Sequence, residues 1–224
     1  TLIRDENAKP GARDWQLTRV KVDREGFRSP AVEGYCSRQS VRVGDTIEFM
    51  LSANPPRKVR LEIFRTGYYG GRGARKMTEL GPLTVGTQPT PKPAEKNLHE
   101  CRWPAAASLI IPADWVSGVY VGKLSCTAHR YESYVIFVVR DDRTADLLFQ
   151  TSDTTWQAYN PWGGCTLYEC FDGPGRSEVA SFDRPYARTY NWGSADFLTH
   201  ELPLIALIEE LGLDCTYVTD IDLH

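Results

Sequence analysis

Apolar and polar residues alternate through much of positions 1–143. In VEGYCSRQSVRVGDTIEFMLSAN, Val41 and Val43 precede a Gly44–Asp45 turn, and Ile47 and Phe49 follow it. A period of two marks half-buried strands. Val59, Leu61 and Ile63 repeat the pattern in KVRLEIFRTGYYGGRGARKM, which then breaks at a glycine-rich loop tip. ASLIIPADWVSGVYVGKLSC predicts an apolar strand, a turn begun by Pro112 and a strand from Val119 to Leu124; ESYVIFVVRDD predicts another. The proline-rich LGPLTVGTQPTPKPAEKN reads as an exposed connection. Strands of this length between turn signals predict a β-sandwich of the immunoglobulin-like kind over 1–143.

The pattern changes after RDDRTAD. Asp146–Gln150 is apolar without alternation, as expected of a strand buried on both faces. In SADFLTHELPLIALIEELGLD, Leu204, Leu207, Ile208 and Leu211 recur at helical spacing. Ser194 or Asp196 would cap the start, Pro203 would kink the helix or open its regular part, and Gly212 stands at the C-cap. CTYVTDIDLH predicts a second strand, with Asp220 and Asp222 on one face near its carboxyl end. These acids read as capping and turn residues or as ligands and acid–base groups. Strand, long connection, helix and strand open a parallel α/β layer over 144–224. Two strands and one helix do not make a stable layer. Further strands are expected from a longer form of the protein or from another chain, and the missing initiator Met fits a processed or partial chain.

Composition narrows the function classes. The net charge of −3 and scattered basic residues give no footprint for nucleic acid. No apolar stretch approaches the roughly 18–20 residues of a membrane span, and no leader is visible, so a cytoplasmic protein is expected. The six cysteines include no C-x-x-C pair and are too sparse for a disulfide framework, so reduced thiols are expected. The four histidines are dispersed, which argues against zinc.

Candidate chemistry concentrates in LLFQTSDTTWQAYNPWGGCTLY, the loop leaving the first parallel strand at its carboxyl end, where open α/β sheets bind ligands. Trp156 and Trp162 offer aromatic walls, and Asp153, Thr154, Thr155, Gln157 and Asn160 offer polar contacts. Gly163–Gly164 permits close backbone approach. Two readings stay open: the floor of a small-molecule pocket, or a loop packed over the sheet by its aromatics. Cys165 follows the glycines but has no nearby histidine, so it reads as a nucleophile or as a small buried side chain. Serine-elbow, dinucleotide and phosphate-loop motifs are absent.

DWVSGVYVGKL, YVIFVVRDDRTADLLFQTSDTTWQAYNPWGG, SFDRPY and VTDIDLH together resemble the large (beta) subunit family of N,N-dimethylformamidase. ENAKPGARDW, EGYCSRQSVRVGDTIEF and IFRTGYYGGRGAR fit the same family, so the resemblance runs along nearly the whole chain. It implies a β-sandwich followed by the first part of a glutamine-amidotransferase-like α/β domain. It also implies hydrolysis of a small formamide or other amide to an amine and a carboxylate by metal-activated water. The implied cofactor is one non-haem, ferric iron, held by two tyrosines and a glutamate. Phenolate and carboxylate are hard donors suited to such an ion. Tyr159 of WQAYN matches one tyrosine and Tyr120 of SGVY the other, with Tyr168 in reserve. The substrate would meet Trp156, Asn160, Trp162 and Gly163. No glutamate here matches the third ligand; Glu169, Glu201, Glu209 and Glu210 fall in other elements. The carboxylate is therefore expected from the remaining C-terminal part or a second chain, with a small partner subunit also implied, and the isolated chain is expected to be inactive. Two alternatives stand beside this: a non-catalytic carbohydrate- or protein-binding module using Trp156 or Trp162, and a cysteine-dependent amidotransferase-like protein using Cys165.

Overall fold

The computed structural model describes residues 1–20, 27–126, 128, 131–171, 173–189 and 192–223. A short helix α1 (Leu2–Asn7) opens the chain. Eight strands follow: β1 (Glu33–Cys36), β2 (Ser40–Val41), β3 (Thr46–Ser52), β4 (Arg57–Thr66), β5 (Ala74–Val85), β6 (Ala105–Ile110), β7 (Gly118–Cys126) and β8 (Glu132–Val139). They form a three-stranded sheet ordered β1-β3-β6 and a five-stranded sheet ordered β2-β8-β7-β4-β5. The predicted sandwich is present. Val59, Leu61 and Ile63 point between the sheets, where they meet Ile47, Phe49 and Leu51.

The Gly44–Asp45 turn lies where the sequence predicts it, between two strands. It hands the chain from β2, which pairs in parallel with β8, to β3 in the opposite sheet. Gly44 has φ +85°, the left-handed conformation that glycine tolerates. Leu80–Val85, the start of the expected connection, is the end of β5 and pairs with β4. Gly86–Ala94 after it carries no strand or helix.

Strands β7 and β8 show almost continuous burial rather than alternation. The cause is a third layer. Phe64, Val119, Val121, Tyr134, Ile136 and Val138 on the other face of the five-stranded sheet pack against Trp156, Phe197, Ile205, Cys215 and Tyr217. Those partners come from the C-terminal elements. They are β9 (Leu147–Gln150), α2 (Asp153–Ala158), the small hairpin β10 (Arg188–Thr189) and β11 (Trp192–Gly193), α3 (Ser194–Asp196), a π-helical turn (Phe197–Glu201), α4 (Leu202–Glu210) and β12 (Cys215–Val218). β9 and β12 pair in parallel, Leu147 opposite Cys215 and Gln150 opposite Val218, as the sequence predicts.

β9 is not buried on both faces. Leu148 is 57% exposed and Leu147 is also open, because β12 alone pairs with β9 among the described residues. The face of α4 is also rotated from expectation. Of the expected stripe, Ile208 packs against the core but Leu204, Leu207 and Leu211 are exposed, while Phe197, Glu201, Ile205 and Glu209, four residues apart, turn inward. Gly212 does end the helix, at φ +66°, with the Leu213 N–H bonded to the Ile208 carbonyl.

A buried ion pair explains the rotation. Arg65 of β4 and Glu209 of α4 are both fully enclosed and meet through two bonds, Nη2 to Oε1 at 2.7 Å and Nη1 to Oε2 at 2.9 Å. Glu209 also accepts from the Tyr217 hydroxyl at 2.8 Å and from Asn7 Nδ2 at 2.7 Å. Arg65 donates to the Ser117 carbonyl and the Tyr69 hydroxyl. Tyr69, from the glycine-rich loop tip, bonds in turn to Glu6. Removing one member of a buried pair strands the other charge, at a cost of about 3–5 kcal/mol. Urea unfolding should therefore show Glu209→Ala losing stability on that scale. The double variant R65M/E209L should lose clearly less than Glu209→Ala alone; equal or greater loss would show that the pair is not what couples the layers.

Candidate functional site

A cavity of about 580 Å³ lies between α2 and the π-helical turn. One wall comes from Ser152, Thr155, Trp156 and Tyr159. Their spacing of i, i+3, i+4 and i+7 puts them on one helix face. α2 starts directly after β9, where the Thr151 N–H bonds to the Val218 carbonyl, so the parallel pair fixes where this wall stands. Trp156 is buried against Phe197 and Tyr186. Tyr159, at the helix C-terminus, is 40% exposed at the mouth.

The facing wall is Asp196, His200 and Glu201. On an α-helix, positions i, i+4 and i+5 diverge. The wide π turn bonds i to i+5, so Asp196 sits one turn from both His200 and Glu201. The Leu202 N–H reaches the Phe197 carbonyl in that register. Pro203, having no N–H, leaves the Thr199 carbonyl free of the α-helical bond that would close the turn.

Glu201 is held at one oxygen only. Oε1 accepts from Trp156 Nε1 at 2.7 Å and from the Ser152 N–H at 3.2 Å, while Oε2 is buried without a hydrogen-bond partner. Burial pushes the Glu201 carboxyl up to about 7, only partly offset by the Trp156 and Ser152 bonds. Asp196 Oδ2 is likewise unpartnered, and burial raises that carboxyl to about 6 against the opposing influence of His200. Behind the wall Asp153 is raised to about 6, chiefly by burial, although its Oδ1 accepts the Asp220 N–H at 2.7 Å.

Of the residues singled out in the sequence, Trp156 and Tyr159 line this cavity. Tyr120 does not. Its ring lies in the sandwich core, stacked on Trp115 at 4.8 Å and Phe137 at 5.5 Å, and its hydroxyl donates to the Val116 carbonyl at 2.6 Å. Burial drives its phenol well above the ordinary range. The hydroxyls of Tyr120 and Tyr159 therefore share no cavity, and this pair does not fit a common iron. Tyr168 is placed differently: its ring stacks on Tyr159 at 4.5 Å, and a bond between the two side chains raises the Tyr159 phenol.

Asn160 and Trp162 are committed to packing. Asn160 donates to Gln157 Oε1 and the Pro185 carbonyl and accepts from the Trp162 and Ala187 N–H groups. Trp162 donates to Glu33 Oε2 at 2.9 Å and lies beneath Arg28. Gly163 is needed where it stands: φ is +94°, and a Cβ there would lie 2.7 Å from the His99 ring. Asp222 serves as a cap, accepting from the Thr219 N–H and hydroxyl and from Ser40. Both acids of VTDIDLH follow the end of β12, in a 3-10 turn rather than a continuing strand, and His224 lies outside the described residues.

The thiol expectation is corrected at one pair. Cys165 and Cys170 form a disulfide across a tight turn that pairs their backbones, a spacing outside the C-x-x-C pattern. Cys165 thus offers no free thiol. Cys36, Cys101, Cys126 and Cys215 are free and buried. No helix among the described residues is long and apolar enough to cross a membrane.

Residues 60–224 match the family described as N,N-dimethylformamidase beta subunit-like, C-terminal. No curated protein matches the sequence. Among solved structures, Pseudomonas fluorescens alkylpurine DNA glycosylase AlkC bound to DNA containing an abasic site analog is similar at 16% identity with a TM-score of 0.27. That likeness covers 50% of this chain and 31% of the glycosylase, so the chain spans under a third of that protein's length. It is too low to argue from.

Two measurements check the geometry. Tyr120→Phe leaves the buried Val116 carbonyl without its donor and should cost about 1–2 kcal/mol, whereas Tyr159→Phe, half open to solvent, should stay within about 0.5 kcal/mol of the parent. For Glu201, the folded carboxyl titrates near 7 against an ordinary 4.5. The folded state then binds the proton more tightly, so its contribution is fully present below 4.5 and is lost as pH rises through 7. Glu201→Gln removes that titration. Its stability relative to the parent should rise across this window, by an amount on the order of 2 kcal/mol, as followed by urea unfolding at several pH values.

Proposed function

We propose, from the premise that this chain belongs to the N,N-dimethylformamidase beta subunit-like family, that it forms part of an amidohydrolase cleaving a small formamide or related amide to an amine and a carboxylate. The supporting observation is the cavity that joins Trp156 and Tyr159 to Asp196, His200 and Glu201. Its volume suits a small ligand. Trp156 supplies an apolar wall for N-alkyl groups. Glu201, fixed at Oε1 and free at Oε2, can hold or release a proton near neutral pH.

The implied iron would be held here by Tyr159 and Tyr168, whose stacked rings bring two hard oxygen donors together, and not by Tyr120. Bound there, such an ion supplies Lewis-acid polarisation of the amide carbonyl and activation of water. Its carboxylate ligand would come from the remainder of a longer protein or from a second chain. The open side of β9 and the exposed Leu204, Leu207 and Leu211 are the surface onto which further α/β elements of a glutamine-amidotransferase-like domain would pack.

Two residues named for the rival readings are committed elsewhere. Trp162 is fully buried and donates to Glu33, which leaves its ring closed to a sugar. Cys165 is tied to Cys170.

The assembled protein should release dimethylamine and formate from N,N-dimethylformamide. Tyr159→Phe should lower that rate by about 100-fold or more and remove a visible phenolate-to-iron absorption band. Tyr120→Phe should keep the band. Activity and spectrum unchanged in Tyr159→Phe, or an assembled protein inert toward small amides, would sink the proposal.

A further inference from the structure

The wall formed by the π turn has more unmet acceptors than a single acid–base group requires. It carries two buried carboxyl oxygens with no hydrogen-bond partner, Glu201 Oε2 and Asp196 Oδ2. Glu201 is only 9% exposed. Among the described residues no lysine or arginine lines the cavity, and His200, exposed at its edge, is the basic side chain on the wall. Buried carboxylates are ordinarily paired with a cation, as Glu209 is with Arg65 in this same chain. The wall opposite the acids is aromatic, with Trp156 and Tyr159. Acceptors without a fixed cation on one side and π-faces on the other suit a small cation that brings both N–H donors and methyl groups.

We propose that this cavity is a binding site for a small secondary alkylammonium ion, with Glu201 and Asp196 accepting its two N–H bonds and Trp156 and Tyr159 covering its alkyl groups. The inference rests on the amidohydrolase reading in one respect: hydrolysis of an N,N-dialkyl amide yields such an amine, which is protonated at neutral pH. The site then holds the leaving product. A neutral N,N-dialkyl amide has no N–H for the two acceptors, so it binds less well than the amine it yields, and product ammonium becomes an inhibitor competing for the same space. A tetraalkylammonium ion satisfies the aromatic wall but neither carboxyl oxygen. The two acids thus select secondary over quaternary amines.

Among the described residues, the charges facing Glu201 are Asp153 from α2, Asp196 from α3 and His200 from the π turn itself. Glu201→Gln is the informative variant. The Gln carbonyl keeps the acceptor for Trp156 and Ser152, while the amide NH₂ replaces the unpartnered oxygen with a donor.

Binding is read by calorimetry on the full chain with dimethylammonium chloride, beside 2-propanol as a neutral molecule of similar size and tetramethylammonium chloride as a cation without N–H. Dimethylammonium should bind at least about ten-fold tighter than either, and Glu201→Gln should weaken it by about ten-fold or more while its thermal melt stays cooperative. Asp196→Asn should weaken it as well, so the test does not depend on one variant folding. Equal binding of dimethylammonium and 2-propanol, or binding unaffected by both substitutions, overturns the inference. The two proposals fail separately: selective ammonium binding by a protein inert toward amides leaves this site standing without the hydrolase reading. Amide hydrolysis insensitive to added dimethylammonium leaves the hydrolase reading and removes this one.

Discussion

The Arg65–Glu209 pair decides how the C-terminal layer sits on the sandwich. Both groups are fully enclosed, and neither has water to fall back on. A pair of this kind gives little net stability, because desolvation offsets most of its attraction. What it contributes is a single allowed arrangement. Gly118 and Gly67 make room for it: a Cβ on Gly118 would lie 2.8 Å from Arg65 Nε, and one on Gly67 2.2 Å from Glu209 Oε2. Once Glu209 points inward, the helix has no rotational freedom left. Ile205 and Glu201, at i−4 and i−8, must point the same way. The carboxyl lining the cavity is thus placed by an ion pair two turns further along the helix.

This constraint also explains where the sequence was legible. The alternation of Val59, Leu61 and Ile63 reads directly as a strand because one face meets the opposing sheet. The parallel pairing of β9 with β12 follows equally from segment order and length. The burial of β7 and β8 on both faces has no local signal, since it depends on a layer contributed by distant residues. The face of α4 was misplaced for a related reason. Hydrophobic spacing favours the stripe of Leu204, Leu207 and Leu211, whereas the face turned inward carries Ile205 and the carboxylate of Glu209 that buried Arg65 requires.

The candidate site was half legible. An aromatic segment at the carboxyl end of a parallel strand pointed to Trp156 and Tyr159, and both line the cavity. Spacing did not identify Asp196, His200 and Glu201, because their convergence needs a π turn, and Pro203 was the only local hint of one. Tyr120 carried the opposite lesson. Its neighbours in sequence match a family pattern, yet alternation along β7 points its ring between the sheets, where Trp115 and Phe137 enclose it. The Cys165–Cys170 bond was hidden because it joins a turn rather than two elements, and it brackets Tyr168 next to Tyr159.

Glu201 and Glu209 lie on one stretch of helix and illustrate opposite treatments of a buried carboxylate. Glu209 accepts four hydrogen bonds, two from a guanidinium, and is electrically closed. Glu201 accepts two from neutral donors and keeps one oxygen bare. Burying an unneutralised carboxylate is unfavourable, and the group responds by retaining its proton toward neutral pH. A fold that needed only packing would place leucine or glutamine there. The helix instead tolerates a destabilising group at the cavity because the closed pair two turns away holds that helix in register.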